Sequence, residues 1–285
     1  MRKISLIIVT YNSSKHIYEC LDSIFNFNDI GDELEIIVVD NDSPEQKSMF
    51  DGISEKYGDK VLLISSEKNG GYGYGNNLGV SKASAPIIIV MNPDVRLVQP
   101  IFQKILIIMR KETIGIMGVS FVDGSLPFYY KPEYVSLYRE LFHKMAVKKR
   151  SYNDQTMYMS GSFLVFRKKT FHKVGAFDEN IFMYYEEPDI TNRIQKAGLE
   201  AIWLSDIYVK HLAHGRSFNR GTEDIKSQSL KYYSKKYNVD IRLYLRVQLR
   251  VYKIKRLAAL LLRNDAKCDY FDKAILYEKD LLSTL

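Results

Sequence analysis

Ile87–Val95 reads IIIVMNPDV. Ile87 to Val90 is an unbroken apolar run, short enough for a strand and too uniform for an alternating one. Strands of that kind are covered on both faces, as in a parallel sheet. The run passes directly into Asn92, Pro93 and Asp94. In open α/β sheets ligands bind just beyond the carboxyl ends of the strands, so the sequence sets a carboxylate where such sheets do their chemistry. A hard carboxylate oxygen suits Mg²⁺ or Mn²⁺ carrying phosphates. An ordinary Asn-Pro-Asp turn is the other reading of the same residues.

Working outward, strands and helices alternate. Ile4–Val9 reads as a strand ending at Thr10-Tyr11-Asn12, followed by helical spacing through Ile17, Leu21, Ile24 and Phe25 with Ser13 or Ser14 as N-cap. Glu35–Val39 ends at Asp40-Asn41-Asp42-Ser43, a helix covers Gln46–Tyr57, and Val61–Ser65 ends near Asn69. This order predicts a doubly wound, mostly parallel sheet with flanking helices and a polar active edge. Downstream, Ile101–Met109 reads as helix, and Ile116–Val119, Met157–Phe166 and Ala201–Leu204 as strands. Pro188 opens a helix that ends at Gly198, His211 to Ser217 form a polar loop, and Leu126–Asn153 shows no period, as expected of a flexible or acceptor-facing segment.

The 285 residues, 46% of them hydrophobic, suffice for one large α/β domain with an appendage. The division expected is a nucleotide-binding domain over 1–222 and a basic, amphipathic helical extension over 223–285. No run reaches the roughly 18 apolar residues of a membrane span. Two cysteines, Cys20 and Cys268, form neither a disulfide framework nor a ligand spacing, which points to a reducing, cytoplasmic setting. The net charge of +7 is uneven: Lys226–Arg263 alone carries +10, and the remainder sums to −3. Basic residues interleaved with Leu, Val, Ile and Tyr suit an anionic membrane surface; a helix packed on its domain with a solvated basic face has the same pattern. A nucleic-acid binder would spread its basic residues around the cleft, whereas here the cleft motifs are acidic.

Three further groups carry chemistry. The glycines of Asn69-Gly70-Gly71-Tyr72-Gly73-Tyr74-Gly75-Asn76-Asn77 alternate, which excludes both the dinucleotide fingerprint and a Walker loop. A permissive loop with exposed amides, suited to a phosphate or sugar, remains. Glu186, Glu187 and Asp189 stand at a helix N-terminus, which favours ionised carboxylates, and one of them aimed into a cleft can serve as general base; plain helix-end decoration fits equally. His211 and His214, close together after a strand, can ligate a metal or contact a phosphate, or lie idle on the surface.

Thr10-Tyr11-Asn12, Val39–Ser43, Asn69–Gly79, Asn92–Asp94 and Phe182–Asp189 stand in the order seen in family 2 inverting glycosyltransferases of the GT-A fold, and over about residues 3–217 the chain resembles that family, nearest its bacterial rhamnosyltransferase-like branch. The resemblance implies transfer of a sugar from a nucleotide-diphosphate donor to a hydroxyl of a glycan or lipid-linked acceptor in surface polysaccharide synthesis. It implies that Thr10, Tyr11 and Asp40 hold the base and ribose, with Asn12 and Asn41 among the donor-binding residues. Asn69, Gly70, Gly71, Gly73, Asn76 and Asn77 would line the donor pocket, with Asn92 and Arg193 beside it. Asp94 would bind Mg²⁺ or Mn²⁺ with the diphosphate, Glu187 would be the base, and His211 or His214 would reach the metal. Asn92 replaces the first acid of the family's DxD motif, Glu187 replaces the commoner Asp, and the span from His211 to Ser217 is one residue longer than the pattern. A binding-only relative without catalysis shares these motifs.

Overall fold

The computed structural model describes residues 1–212 and 217–285. The elements run β1 (Ile4–Thr10), α1 (Ser14–Asn26), β2 (Leu34–Asp40), α2 (Gln46–Tyr57), β3 (Val61–Ser65), α3 (Gly71–Lys82), β4 (Ile87–Met91), β5 (Val95–Leu97), α4 (Phe102–Ile108), β6 (Ile114–Phe121), β7 (Phe128–Tyr130), α5 (Leu137–Lys148), β8 (Met157–Met159), β9 (Phe163–Arg167), α6 (Lys168–Lys173), α7 (Glu186–Lys196), β10 (Glu200–His211), α8 (Arg220–Tyr237), α9 (Ile241–Leu261) and α10 (Asp265–Ser283).

The main sheet has the order β3-β2-β1-β4-β9-β6-β10-β5. β1 pairs in parallel with β2 and β4, β2 with β3, and β6 with β10. β9 lies antiparallel between β4 and β6, and β5 antiparallel to β10. Two antiparallel steps bring β6 and β10 back into the direction of β4. The carboxyl ends of β1, β2, β4, β6 and β10 and the starts of β5 and β9 therefore share one edge. Chain order reverses between β1 and β4, which is where an open α/β sheet opens its ligand crevice. The strand read from Ile87 to Met91 is buried along its whole length. Its side chains pack with β1, β2 and α1 residues such as Leu6, Ile8, Val38 and Leu21 in one core, and each such side chain contributes about 1.5–3 kcal/mol.

Four expectations are corrected. The glycine-rich segment is no loop: α3 begins at Gly71. Its glycines let the helix lie directly on the sheet, since a Cβ on Gly75 would come 2.7 Å from Val9 Cγ1 and one on Gly79 2.5 Å from Ile7 Cγ2. The run Met157–Phe166 is two strands broken at Ser160-Gly161-Ser162. His211 closes β10 and is not in a loop. The aperiodic stretch 126–153 contains α5, whose one buried side chain is His143 while Tyr138, Phe142 and Met145 are exposed; a helix that buries a histidine and exposes its aromatics hides its period.

The chain gathers into two compact units, Met1–Phe128 with Tyr158–Ala213, and Tyr129–Met157 with His214–Leu285. The boundary expected at 222/223 differs from this division, which places 129–157 with the second unit. In the second unit α5, α8 and α10 each pack on α9. Tyr233 is fully buried there, its hydroxyl donating to both carboxylate oxygens of Glu133 at 2.9 and 3.0 Å. Among the described residues, no helix is long and apolar enough to cross a membrane.

Candidate active site

The shared sheet edge carries most of the residues singled out above. At the ends of β1 and β2, Asp40 is fully buried and accepts from Thr10 Oγ1 (2.9 Å), Ser43 N (2.7 Å) and Ser43 Oγ (2.8 Å). Ser43 Oγ in turn accepts from Asn12 N at 2.9 Å, and Asn12 has φ +50°. Thr10 and Asp40 thus brace two loops from inside, while Tyr11 is half exposed between them. Asn41 is buried, its Nδ2 donating to Gly71 O at 2.8 Å and its Oδ1 without a hydrogen-bond partner; Asn76 Oδ1 is likewise buried and unpaired. Each of these amide oxygens can accept a hydrogen bond from an N–H or O–H group.

The amides at the start of α3 are already engaged. Gly71 N donates to Asn69 Oδ1 (3.1 Å) and Tyr72 N to Phe182 O (2.9 Å). Gly71 has φ +85°, and a Cβ there would stand 1.9 Å from the Phe182 oxygen. Asn77 holds the loop before α7, accepting from Phe177 N at 3.1 Å and donating to Phe177 O at 3.0 Å. Gly73 also serves packing, its absent Cβ leaving room for Phe177. Gly71, Gly73 and Asn77 fasten α3 to the segment ahead of α7.

Beyond β4, Asp94 Oδ2 lies 3.3 Å from His211 Nε2, and Asp94 Oδ1 is buried without a partner. Leu212 N donates to Asp94 O at 2.9 Å, which fixes the end of β10 against this turn. His211 Nδ1 is 3.3 Å from Ser125 Oγ, whose hydroxyl donates to Asp123 Oδ2. Asp123 Oδ1 accepts the His211 amide at 3.3 Å. A histidine that ligates through Nε2 carries its proton on Nδ1, and a hydrogen-bond acceptor there selects that tautomer; Ser125 provides it. The unpaired Asp94 oxygen and the facing imidazole form a two-ligand half-site that fits Mg²⁺ or Mn²⁺ with its other positions filled by phosphate oxygens and water. Among the described residues, no three His, Cys, Asp or Glu side chains converge on such a site. His214 lies outside the described residues.

Ser160-Gly161-Ser162, to which the sequence reading assigned no role, links these groups to the carboxylates. Ser162 Oγ lies 3.4 Å from His211 Nε2, and Asn92 N donates to Ser162 O at 3.0 Å. Gly161 N donates to Glu187 Oε1 at 3.0 Å. The missing Cβ at 161 makes room for that carboxylate, because a Cβ would stand 2.5 Å from the same oxygen and one of the two would have to shift. The only signal available was a Ser-Gly-Ser interruption in an apolar run, which reads equally well as a bulge.

α7 opens with strain. Tyr184 and Tyr185 both adopt left-handed backbone, φ +72° and +73°, immediately before Glu186. Such conformations cost non-glycine residues on the order of 1–3 kcal/mol each and concentrate at functional sites. Burial raises the Glu187 pKa, and the Glu187 and Gly161 backbone amides oppose that rise. Glu186 is pushed well above the carboxylate range by burial and then by the Glu187 charge, and its Oε1 has no partner. Both carboxyls are raised by burial, but unequally: the Glu187 and Gly161 amides oppose the rise at Glu187, whereas the Glu187 charge adds to it at Glu186. Asp189 and Arg193, expected at the catalytic and donor positions, instead face one another. Asp189 is fully buried and accepts from Arg193 Nε (3.0 Å) and Nη2 (2.5 Å), and Arg193 Nη1 donates to Val174 O at 2.5 Å. This i,i+4 pair braces α7 and leaves neither residue presenting a charge to a donor.

A sequence profile described as Glycosyl transferase family 2 matches residues 5–175. The low-salt glycan biosynthesis hexosyltransferase Agl10 of Haloferax volcanii is 24% identical over 203 residues, covering 69% of this chain and 62% of that protein. Rhamnosyltransferase WbbL of Escherichia coli is 25% identical over 246 residues, covering 75% and 85%. The dolichol-phosphate mannosyltransferase of Pyrococcus furiosus is 30% identical over 146 residues, 51% of this chain and 39% of that one. The chain thus spans less than two thirds of the Haloferax and Pyrococcus relatives. Among solved structures, the Pyrobaculum calidifontis mannosyltransferase PcManGT, in complex with GDP-Man and Mn²⁺, superposes with a TM-score of 0.65 at 17% identity over 99% of this chain and 86% of its own. GalNAc-T7 with UDP, GalNAc and Mn²⁺ does so at 0.57 and 15% over 74% and 44%. These structural likenesses bear on the fold.

Proposed function

The chain belongs to glycosyl transferase family 2, with a GT-A-like fold, and from that premise we propose that it transfers a sugar from a nucleotide-diphosphate donor to a hydroxyl with inversion at the anomeric carbon. The observation that carries this is the Ser160–Ser162 turn. It holds Glu187 through the Gly161 amide and contacts His211, which faces Asp94, through Ser162 Oγ. One short segment thereby ties a base to a diphosphate-side half-site.

Mg²⁺ or Mn²⁺ held by Asp94 and His211 would neutralise charge developing on the leaving diphosphate. The chain's own groups do the rest. Asn41, 3.4 Å from Asn69 through its Nδ2, and Asn76 carry unpaired amide oxygens that can accept donor hydroxyl or base N–H groups. Glu187 accepts the acceptor hydroxyl's proton as that oxygen bonds to the anomeric carbon. The bond from that carbon to the diphosphate oxygen breaks, and the diphosphate leaves with the electron pair. A single displacement inverts the centre.

The acceptor class rests on the second unit and on the named relatives. On α9, Arg246, Arg250 and Lys253 are exposed and lead to Leu257, Leu260, Leu261 and Leu262, the last two each 78% exposed. A basic stripe ending in an apolar tip suits an anionic bilayer, at about 1 kcal/mol per basic side chain near the surface. A lipid-linked glycan at the cytoplasmic face of the membrane, in bacterial surface polysaccharide synthesis, is the acceptor this reading favours. No observation favours nucleic acid.

The test is a panel of UDP-glucose, UDP-N-acetylglucosamine, GDP-mannose and dTDP-rhamnose, with Mn²⁺ or with EDTA, scored by thermal shift and by donor cleavage. One donor should stabilise the protein and be cleaved only with metal. Glu187→Gln should retain the shift and lose cleavage by orders of magnitude; undiminished cleavage would remove Glu187 from the base role. Leu261→Asp with Leu262→Asp should abolish co-sedimentation with phosphatidylglycerol-containing vesicles, and unchanged sedimentation would reject the membrane surface.

A further inference from the structure

Tyr72 joins the two segments on which Glu187 depends. Its backbone N–H donates to Phe182 O at 2.9 Å, at the start of the strained Tyr184-Tyr185 entry into α7. Its hydroxyl donates to Gly161 O at 2.7 Å. Gly161 in turn provides the amide that holds Glu187 Oε1 at 3.0 Å. The ring is fixed edge-on to Phe177, with centroids 5.5 Å apart.

The arrangement answers a local conflict. The carboxylate lies so close to position 161 that a Cβ there would stand 2.5 Å from it, and the glycine that leaves this room is the residue with the greatest backbone freedom. The turn is tied at its ends by Ser160 N to Pro127 O (2.9 Å) and Asn92 N to Ser162 O (3.0 Å). Gly161 itself, between those ties, is held by the Tyr72 hydroxyl. That hydroxyl stays protonated, because burial and then the Glu187 charge raise its pKa well above the phenolic range, so it remains a donor to the carbonyl.

We propose that Tyr72 is a positioning residue for the reaction, clamping the Gly161 turn to the entry of α7 so that the Gly161 amide stays on the Glu187 carboxylate. The proposal rests on Glu187 being the base. Without the hydroxyl, Gly161 moves more freely and its amide bond to the carboxylate weakens. That bond favours the ionised form, so its weakening leaves burial to push Glu187 further toward the protonated form.

The decisive variant is Tyr72→Phe, which removes one oxygen and keeps the ring. Carboxyl carbons of the full chain labelled with ¹³C-glutamate are followed by NMR against pH, the Glu187 resonance being the one lost in Glu187→Gln. The titration midpoint of Glu187 should move to higher pH in Tyr72→Phe and stay in place in Tyr74→Phe, a control on the same helix. With the donor that the panel shows to be cleaved, Tyr72→Phe should lower kcat about two- to tenfold at neutral pH, the size of one lost hydrogen bond, with donor KM unchanged. The acid limb of its pH profile should move with the NMR midpoint. An unmoved midpoint overturns the proposal, whether activity is retained or lost, because a merely structural role does not shift that titration. Undiminished cleavage by Glu187→Gln would instead overturn the base assignment, a result separate from the midpoint.

Discussion

Gly161→Ala is the most direct challenge to the site. The added Cβ would stand 2.5 Å from Glu187 Oε1 and 3.0 Å from its Cδ and Cγ, so either the carboxylate or the turn must move. Both routes break the 3.0 Å amide contact. A hydrogen bond to a charged group contributes about 1.5–3 kcal/mol, and the same amount taken from transition-state positioning is about a 10- to 100-fold loss in kcat. Donor binding lies with other residues, so the thermal shift induced by the cleaved nucleotide sugar should persist. The clash is specific to side-chain length, which makes a double-mutant cycle informative. Glu187→Asp withdraws the carboxylate by one methylene, and Gly161→Ala combined with Glu187→Asp should lose less than the product of the single losses. Steady-state kinetics of the four proteins measures this. A Gly161→Ala enzyme within twofold of wild-type kcat, or a cycle whose losses simply multiply, would refute the idea that the missing Cβ makes room for the base.

Gly71→Ala should lower Tm by several degrees, because it combines φ +85° with a Cβ 1.9 Å from a backbone oxygen; an unchanged melt would mean that α3 does not begin as described. Asp94 and His211 supply two ligands, so Mn²⁺ should bind the chain alone weakly and bind with at least tenfold higher affinity when the nucleoside diphosphate of the cleaved donor is present, by reciprocal linkage; calorimetry showing Mn²⁺ affinity independent of nucleotide would refute the half-site. In the second unit, burial, then the Glu223 charge, raise the Glu278 pKa to about 7. A carboxyl whose pKa is raised on folding contributes stability that is fully present below its ordinary value and is lost as pH rises through the raised one. That stability, at most about 3 kcal/mol, should therefore fade between about pH 4.5 and 7; urea melts of Glu278→Gln should show a flatter pH dependence over that window, and parallel curves would count against it.

Much of the sheet was legible because β4 and its neighbours are buried on both faces, and an uninterrupted apolar run of strand length between turn residues is what such burial writes into a sequence. The turn at Asp94 beyond β4 followed from the same logic, and the start of α7 followed from Pro188 and the carboxylates beside it. The glycine segment misled for a physical reason. Alternating glycines signal close approach, and sequence cannot say whether a ligand or a strand does the approaching; Val9 and Ile7 fill the space beside Gly75 and Gly79. Asp189 and Arg193 misled because an i,i+4 acid–base pair near a site is written identically whether it faces the ligand or itself.

The residues that sequence missed share a property. Tyr72, Gly161, Ser162, Ser125 and Asp123 act through backbone groups or through a second side chain, and their partners are remote in sequence: Tyr72 to Gly161, Ser162 to His211, Ser125 to His211. Motifs record the groups that touch a ligand, since those recur at fixed spacing. The residues that orient them are fixed by where strands end on the sheet edge. β6, β9 and β10 end or begin on that edge only because β9 runs antiparallel between β4 and β6, a reversal that the apolar pattern of Phe163–Phe166 does not encode. The direction of that one strand decides that Ser160–Ser162 enters the sheet beside Asn92 and within reach of His211 and Glu187. An equally apolar parallel strand would have carried the same turn to the opposite edge and left Glu187 without its amide.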